Sequence, residues 1–208
     1  MPPRPTARFR LRALRVAVAI GLAAGVLAGC GGGTRFDPAA PCSADARVVG
    51  AYPALEALVP KSFRDRGPDR VDSGRNCTPA ALGSLVVHGI SELRFAGAVW
   101  DLGSGSGVTE AILDGNGLTV PWVAEFYKSG AEAAKETEKV DSHSVALPGS
   151  VSGFRIDTLN GESYQSVLVW PDSGHVRVII VASFIRAVQT MDAHDAVVDD
   201  AISAAFAG

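Results

Sequence analysis

Histidine, serine and cysteine side chains are the groups with which this sequence could carry out chemistry. The histidines are His88, His143, His175 and His194, and the cysteines are Cys30, Cys42 and Cys77. A serine hydrolase holds its nucleophile on a strained turn, with a histidine and a carboxylate nearby, and the sequence contains no G-x-S-x-G element. The histidines fall at a helix end, a loop, a turn and a helix start, so we predict surface positions for all four. This pattern does not favour an enzyme.

Two short patterns could bind an ion. Asp195 and Asp199 lie four residues apart beside His194, so both carboxylates could reach a metal from one helix face, although acids near a helix start also favour the helix dipole. The glycines in residues 103–107 (GSGSG) could cradle a phosphate, but the spacing is not that of a nucleotide-binding loop. We therefore predict helix capping and a hairpin loop, with no metal and no cofactor.

Aromatic and basic residues offer two possible binding surfaces. Such aromatic residues more often lie in the core, but Trp100 and Trp170 stand at strand ends, where they could instead line the rim of a ligand pocket. A polar loop contains a cluster of basic residues that could contact anionic headgroups. The cluster consists of Lys61, Arg64, Arg66, Arg70 and Arg75, diluted by Asp65, Asp69 and Asp72.

The N-terminus has the layout of an export signal. Five arginines and no acid occupy the first fifteen residues, and an apolar stretch follows from Val16 to Ala28. This stretch is shorter than the roughly 20 residues that span a membrane. It ends in Leu27-Ala28-Gly29-Cys30, which resembles the lipobox of bacterial lipoproteins. The resemblance implies cleavage before Cys30, with diacylglycerol and palmitate-type acyl chains attached there; an ordinary secretory leader or an uncleaved anchor is the alternative.

Lipidation of Cys30 would leave Cys42 and Cys77 as a pair. Disulfides persist outside the cytoplasm, so we predict that the two are bridged, with free buried thiols as the alternative. No other Cys or His stands at metal-ligand spacing from either residue. The predicted organisation is a signal peptide over 1–29, a lipidated Cys30 and flexible tether over 30–41, and one domain over 42–208.

The charge of the mature chain argues against nucleic acid as a partner. Removing residues 1–29 removes five of the 19 Lys and Arg side chains and none of the 22 acids, which leaves a formal net charge of −8. A nucleic-acid binder would present a basic face to phosphates.

Local patterns predict helices and strands in a defined order. Short helices are expected over 52–59 and from Thr78-Pro79 to Gly89, with a polar loop over 61–76 between them. A hairpin over 92–113 precedes a helix that starts at Thr119-Pro121 and extends through 131–139. A three-stranded meander follows over 154–183, with its last strand in the middle of the sheet. A final helix is expected from about Asp192, with Val198, Ile202 and Phe206 facing inward.

This order predicts a single α+β domain with an antiparallel sheet of about five strands packed against helices. The order of elements over residues 50–207 is similar to that of Mog1 and PsbP-like proteins, which include envelope lipoproteins. That resemblance implies a binding or scaffolding role. The expected protein is a lipoprotein on the extracytoplasmic face of the cell membrane, or of the outer membrane if the cell has one. Its domain would bind an envelope protein or a small ligand, or dock on a membrane complex as an accessory subunit; the alternative is a small envelope hydrolase.

Overall fold

The computed structural model describes residues 36–207. The predicted signal peptide, the predicted lipidation site Cys30 and residues 31–35 of the predicted tether lie outside the described residues. Within 36–207, no helix combines the length and the apolar character needed to cross a membrane.

The described residues form one antiparallel sheet with helices on both of its faces. The strands are β1 (Ala46–Val48), β2 (Arg70–Asn76), β3 (Leu93–Gly103), β4 (Ser106–Asp114), β5 (Thr137–Leu147), β6 (Val151–Asn160), β7 (Ser163–Asp172) and β8 (His175–Phe184). The α-helices are α1 (Pro53–Glu56), α2 (Pro79–Leu82), α3 (Val120–Ala133), α4 (Ile185–Val188) and α5 (Met191–Phe206). Short 3-10 helices span Gly83–His88 and Pro148–Ser150. The strand order across the sheet is β1-β2-β3-β4-β8-β7-β6-β5.

The predicted α+β class is confirmed, but the sheet has eight strands rather than about five. The sequence assigned β2 to a loop, because β2 buries polar side chains such as Asp72, Ser73 and Arg75 and lacks apolar alternation. It assigned the start of β5 to a helix, whereas α3 ends at Ala133. Most β5 side chains are exposed, so this edge strand carries no periodic apolar signal.

The two predicted hairpin systems are confirmed. β3 and β4 are joined at Ser104 and Gly105, which both have positive φ values (53° and 80°), as two-residue hairpin turns of this hand require. The GSGSG segment is therefore a hairpin loop. The meander β6-β7-β8 forms as predicted, and β8 pairs with both β4 and β7, which places it in the middle of the sheet.

Each face of the sheet carries its own hydrophobic core. On the first face, Trp100, Ile112 and Ile179 pack with Leu55 on α1 and Val198 on α5. We call this the α5 face. The strand residues between these positions point to the opposite face, which we call the α3 face. There they pack against α3 and the Gly83–His88 helix. Burial on both faces explains why β8 has no polar side of its own.

Hydroxyl side chains start two of the helices. The Thr78 hydroxyl accepts a hydrogen bond from the Ala81 amide at 3.3 Å, as the sequence predicted. The last helix begins earlier than predicted, because Thr190 rather than Asp192 is its N-cap and accepts from the Ala193 amide at 3.2 Å. Val198 faces inward as predicted.

Candidate functional site

The predicted disulfide is present and is reinforced by an acidic residue. Cys42 and Cys77 are bonded, with Cα atoms 5.5 Å apart, so the N-terminal segment is fastened to the end of β2. The Asp45 carboxylate accepts hydrogen bonds from the Cys77 amide (2.6 Å), the Thr78 amide (2.9 Å) and the Thr78 hydroxyl (2.6 Å). Burial by itself would raise the pKa of Asp45, but the three hydrogen bonds together have the larger effect. The pKa of Asp45 is therefore lowered.

The two tryptophans that could have lined a pocket rim lie in the core. Trp100 is 1% exposed and Trp170 is 2% exposed. The Trp100 indole donates to the Arg66 carbonyl at 3.1 Å, and the Trp170 ring stacks on Phe206 with centroids 5.6 Å apart. Both side chains point to the α5 face, where α1 and α5 cover them. Strand alternation predicts which residues share a face, but not which face is covered.

The basic cluster is largely neutralised by contacts within the fold. Arg64 pairs with Asp200 of α5 at 2.6 Å, and Arg70 pairs with Asp72 at 3.1 Å. Arg75 is buried and donates to the Ala40 carbonyl at 2.6 Å. These contacts occupy three of the five cations that could have bound anionic headgroups.

The predicted surface position of His194 is wrong, because His194 is fully buried between α5 and the sheet. Its Nε2 lies 2.9 Å from the Ser166 hydroxyl and its Nδ1 lies 2.9 Å from the Ser183 hydroxyl. Ser166 also donates to Asp157, and Arg155 joins Asp157 to Asp195. Burial lowers the pKa of His194 and so favours the neutral imidazole. The sequence missed this cluster because its residues come from three strands and a helix.

This cluster contains the residue types of a serine hydrolase but not the geometry. In a catalytic triad the carboxylate orients the imidazole, and the serine hydroxyl faces the substrate. Here Asp157 accepts from Ser166 instead of from His194, and the second imidazole nitrogen contacts Ser183. Ser166 is 0% exposed, so a substrate carbonyl has no path to its hydroxyl. The cluster therefore fastens α5 to the sheet.

The acids near His194 do not form a metal site. Asp195 pairs with Arg155, and Asp199 is exposed on α5. Among residues 36–207, no group of three or more His, Cys, Asp or Glu side chains is arranged to hold a metal ion.

A second buried polar contact joins β4 and β8. Arg177 donates to Glu110, to Asp172 at 2.8 Å and to the Leu58 carbonyl at 3.3 Å. Burial raises the pKa of Glu110 to about 7, against the opposing attraction of Arg177. Glu110 is 3% exposed, so the pair is buried, and Arg177 connects it to the segment after α1 through the Leu58 carbonyl.

An open groove of about 670 Å³ lies where α1 meets the end of the sheet. Its wall is mostly apolar, and its floor carries a tyrosine and three polar side chains. The wall consists of Pro38, Ala39, Ala51, Pro53, Ala54, Leu55 and Leu58, and the floor of Tyr52, Arg94, Asp114 and His175. A second cavity of about 420 Å³ shares Arg94 and Asp114 and reaches the Gly115–Gly117 turn. We call the two together the α1 groove.

Two residues that line the α1 groove carry buried polar atoms without a hydrogen-bond partner. The Tyr52 hydroxyl and the His175 Nδ1 are buried atoms with no hydrogen-bond partner among the described residues. Asp114 is 3.7 Å from that nitrogen and 4.0 Å from Arg94, too far for a hydrogen bond to either. Apolar walls with a few convergent polar atoms are typical of ligand sites.

Sequence reasoning could not assemble the α1 groove. Arg94 and Asp114 lie opposite each other only because of the β3–β4 register. His175, at the start of the neighbouring strand β8, lies beside Asp114. Tyr52 belongs to the segment that the sequence correctly assigned to a short helix, but nothing in that segment indicates which strand ends it covers.

The described part of the chain is thus an α+β domain with an eight-stranded antiparallel sheet and an open, amphipathic groove beside α1. No protein-family model matches the chain, and the search of curated proteins finds no significant match.

Proposed function

We propose that this chain is an extracytoplasmic lipoprotein, anchored through Cys30, whose domain binds a small amphipathic ligand or a partner segment in the α1 groove. The observation that carries the binding role is the groove itself, with its apolar wall and its unpartnered Tyr52 and His175 atoms. The resemblance of the leader to lipoprotein signals supports the anchor.

The disulfide supports the compartment. Cys42 lies twelve residues after Cys30 and is bonded to Cys77. Such bonds persist in oxidising compartments and are rare in the cytosol. Export of the domain, anchorage at Cys30 and formation of the bridge are therefore consistent with one another.

Two features of the structure favour binding over hydrolysis. The one cluster of serine, histidine and aspartate described above is closed to substrate, since Ser166 and His194 are both 0% exposed. The α1 groove offers hydrogen-bonding atoms but no serine or cysteine nucleophile among its lining residues.

The anchor is tested by the intact mass of protein extracted from membranes, compared between wild type and Cys30→Ala. We expect a wild-type mass that starts at Cys30 and includes two or three acyl chains, because a single chain binds a membrane only marginally. Alkylation of Cys42 and Cys77 only after reduction would report the bridge in the same sample. An intact leader with unmodified Cys30 would contradict the anchor.

The groove is tested with N-phenyl-1-naphthylamine, an amphiphilic probe whose fluorescence rises in apolar surroundings. Ala54 lines the groove, and Ala57 is an exposed residue of the same segment that does not line it. We expect Ala54→Trp to weaken probe binding at least tenfold, because the indole fills the groove, and Ala57→Trp to leave it unchanged. Equal binding by both variants would place the ligand elsewhere.

A further inference from the structure

Strand β5 presents a long unpaired edge. Ten of its eleven residues pair with β6 on one side, from Thr137 opposite Asn160 to Leu147 opposite Val151, and Glu138 has no partner at the register irregularity. Among residues 36–207, no strand pairs with its other side. The opposite edge of the sheet is β1, which has only three residues. An open edge of this length leaves a row of backbone N–H and C=O groups that can bind another strand.

Only one half of this edge is protected by charge. Edge strands are commonly blunted by charged side chains and bulges. Glu138, Lys139 and Asp141 lie in the first half of β5, together with a register irregularity between Thr137 and Lys139. Residues 142–147 contain no Lys, Arg, Asp, Glu or Pro. If a second copy of β5 lies antiparallel on this edge, its charged half lies beside the uncharged half of the first copy.

We propose that β5 pairs antiparallel with β5 of a second copy of this chain, with the two-fold axis at Ser142. Ser142 is the middle residue of Thr137–Leu147, so this register pairs the whole strand. Asp141 then faces His143 of the second copy, and the contact occurs twice because the axis relates the two. The two sheets become one continuous sheet of sixteen strands.

The side chains of β5 fit this register. Lys139 lies opposite Val145 of the second copy, and Glu138 lies opposite Ala146, so no like charges face each other directly. Cross-strand pairs of opposite character favour pairing, and like charges oppose it. An axis at Val140 would place Lys139 opposite Asp141, but it would pair only residues 137–143.

The register is tested by cysteine cross-linking of the full chain in the membranes of the cells that produce it. Cys42 and Cys77 are already bonded, and wild type controls for any reaction at Cys30. Residues directly opposite in an antiparallel pair have Cβ atoms roughly 4.5–5.5 Å apart. We therefore expect Ser142→Cys to form a disulfide-linked dimer under mild oxidation, visible on a non-reducing gel.

Neighbouring positions provide matched controls. Ser144 of one copy lies four residues from Ser144 of the other, roughly 14 Å along the strand, so Ser144→Cys alone should cross-link weakly. A mixture of Val140→Cys and Ser144→Cys chains should cross-link, because these positions are opposite. Ser152→Cys, exposed on β6 one strand from the edge, should remain monomeric. Cross-linking of Ser142→Cys no stronger than that of Ser152→Cys would overturn the proposal.

A charge exchange tests the contact between Asp141 and His143. In the Ser142→Cys background, His143→Asp would bring two carboxylates together and should lower the yield of dimer several-fold. Adding Asp141→His restores an acid opposite an imidazole and should restore the yield. A double exchange that cross-links no better than His143→Asp alone would refute this register. His143 makes only a long contact to Asp141 within its own chain, at 3.9 Å, so these variants leave the fold intact.

Discussion

Replacing Arg177 by methionine should destabilise the domain strongly, and more at pH 8 than at pH 5. The guanidinium contacts Glu110, Asp172 and the Leu58 carbonyl, and the Arg177 side chain is only 11% exposed. Methionine keeps much of the volume but leaves Glu110, which is 3% exposed, without its cation. Removing one partner of a buried ion pair costs about 3–5 kcal/mol, and we expect a loss of this size at pH 8.

The pH dependence follows from Glu110. Its pKa is about 7 in the folded protein, above its usual value of 4.5, because burial disfavours the carboxylate. A carboxyl whose pKa is raised on folding stabilises the fold below its unfolded pKa and loses that contribution as the pH rises through the folded pKa. At pH 5 the carboxyl is mostly protonated, so Arg177→Met should cost only about 1–3 kcal/mol from the remaining lost hydrogen bonds.

The measurement is urea denaturation at both pH values, followed by the fluorescence of the buried Trp100 and Trp170. The double variant Glu110→Gln, Arg177→Met is the control, because it removes the buried charge together with its partner. Its loss of stability should be smaller than that of Arg177→Met at pH 8, and its own free energy of unfolding should lack the fall between pH 5 and pH 8 that Glu110 causes. An equal loss for Arg177→Met at pH 5 and pH 8 would refute the role assigned to Glu110.

Three further predictions concern other parts of the fold. Replacing Cys42 and Cys77 by alanine should lower the free energy of unfolding by roughly 3–4 kcal/mol in the loop-entropy model for a separation of 35 residues, and reduction of wild type should match it; unchanged unfolding would contradict the bridge. Gly130→Ala should stabilise α3 by up to about 1 kcal/mol, since nothing lies within 4 Å of the added Cβ atom. Gly74→Ala should prevent folding, because its Cβ atom would lie 2.2 Å from a β1 carbonyl oxygen. Similar melting temperatures for the two variants would be incompatible with this packing. Burial lowers the pKa of His194, so His194 should reduce stability as the pH falls below its unfolded value of about 6.5, and His194→Leu should show a smaller loss between pH 7.5 and pH 5 than wild type; parallel curves would show that His194 does not titrate on unfolding.

The sequence predicted the elements whose signals are local. Thr78-Pro79 predicted a helix start, and the Thr78 hydroxyl caps that helix. The glycine-rich segment at 103–107 predicted a hairpin, because two successive residues with positive φ suit a glycine-serine turn. The Cys42–Cys77 pairing also followed from the sequence, since assigning Cys30 to lipid left one possible pair.

Local patterns failed where burial depends on a partner strand. The sequence predicted a loop for β2 because several of its buried polar side chains gain partners from distant segments. Asp72 pairs with Arg47 at 3.3 Å, and Ser73 accepts from the Tyr52 amide at 2.8 Å. His194 reads as a surface residue, yet two serines from β7 and β8 satisfy both of its ring nitrogens. A polar residue can be buried at little cost only when such partners are in place, and no window of sequence contains them.

The sequence alone thus predicted the α+β class, the position of the bridge and the central place of β8, all of which the structure has. The export signal that the leader resembles stays a prediction. These predictions depend on chain-local chemistry: turn residues, caps, apolar periodicity and the number of cysteines. The tertiary structure alone decided the number of strands, the burial of Trp100 and Trp170, and the floor of the α1 groove. Each of these depends on strand register, which brings Arg94 and Asp114 opposite each other and sets them beside His175. Register is fixed by the packing of the whole sheet against its helices, because a shift of one residue would move every side chain to the other face.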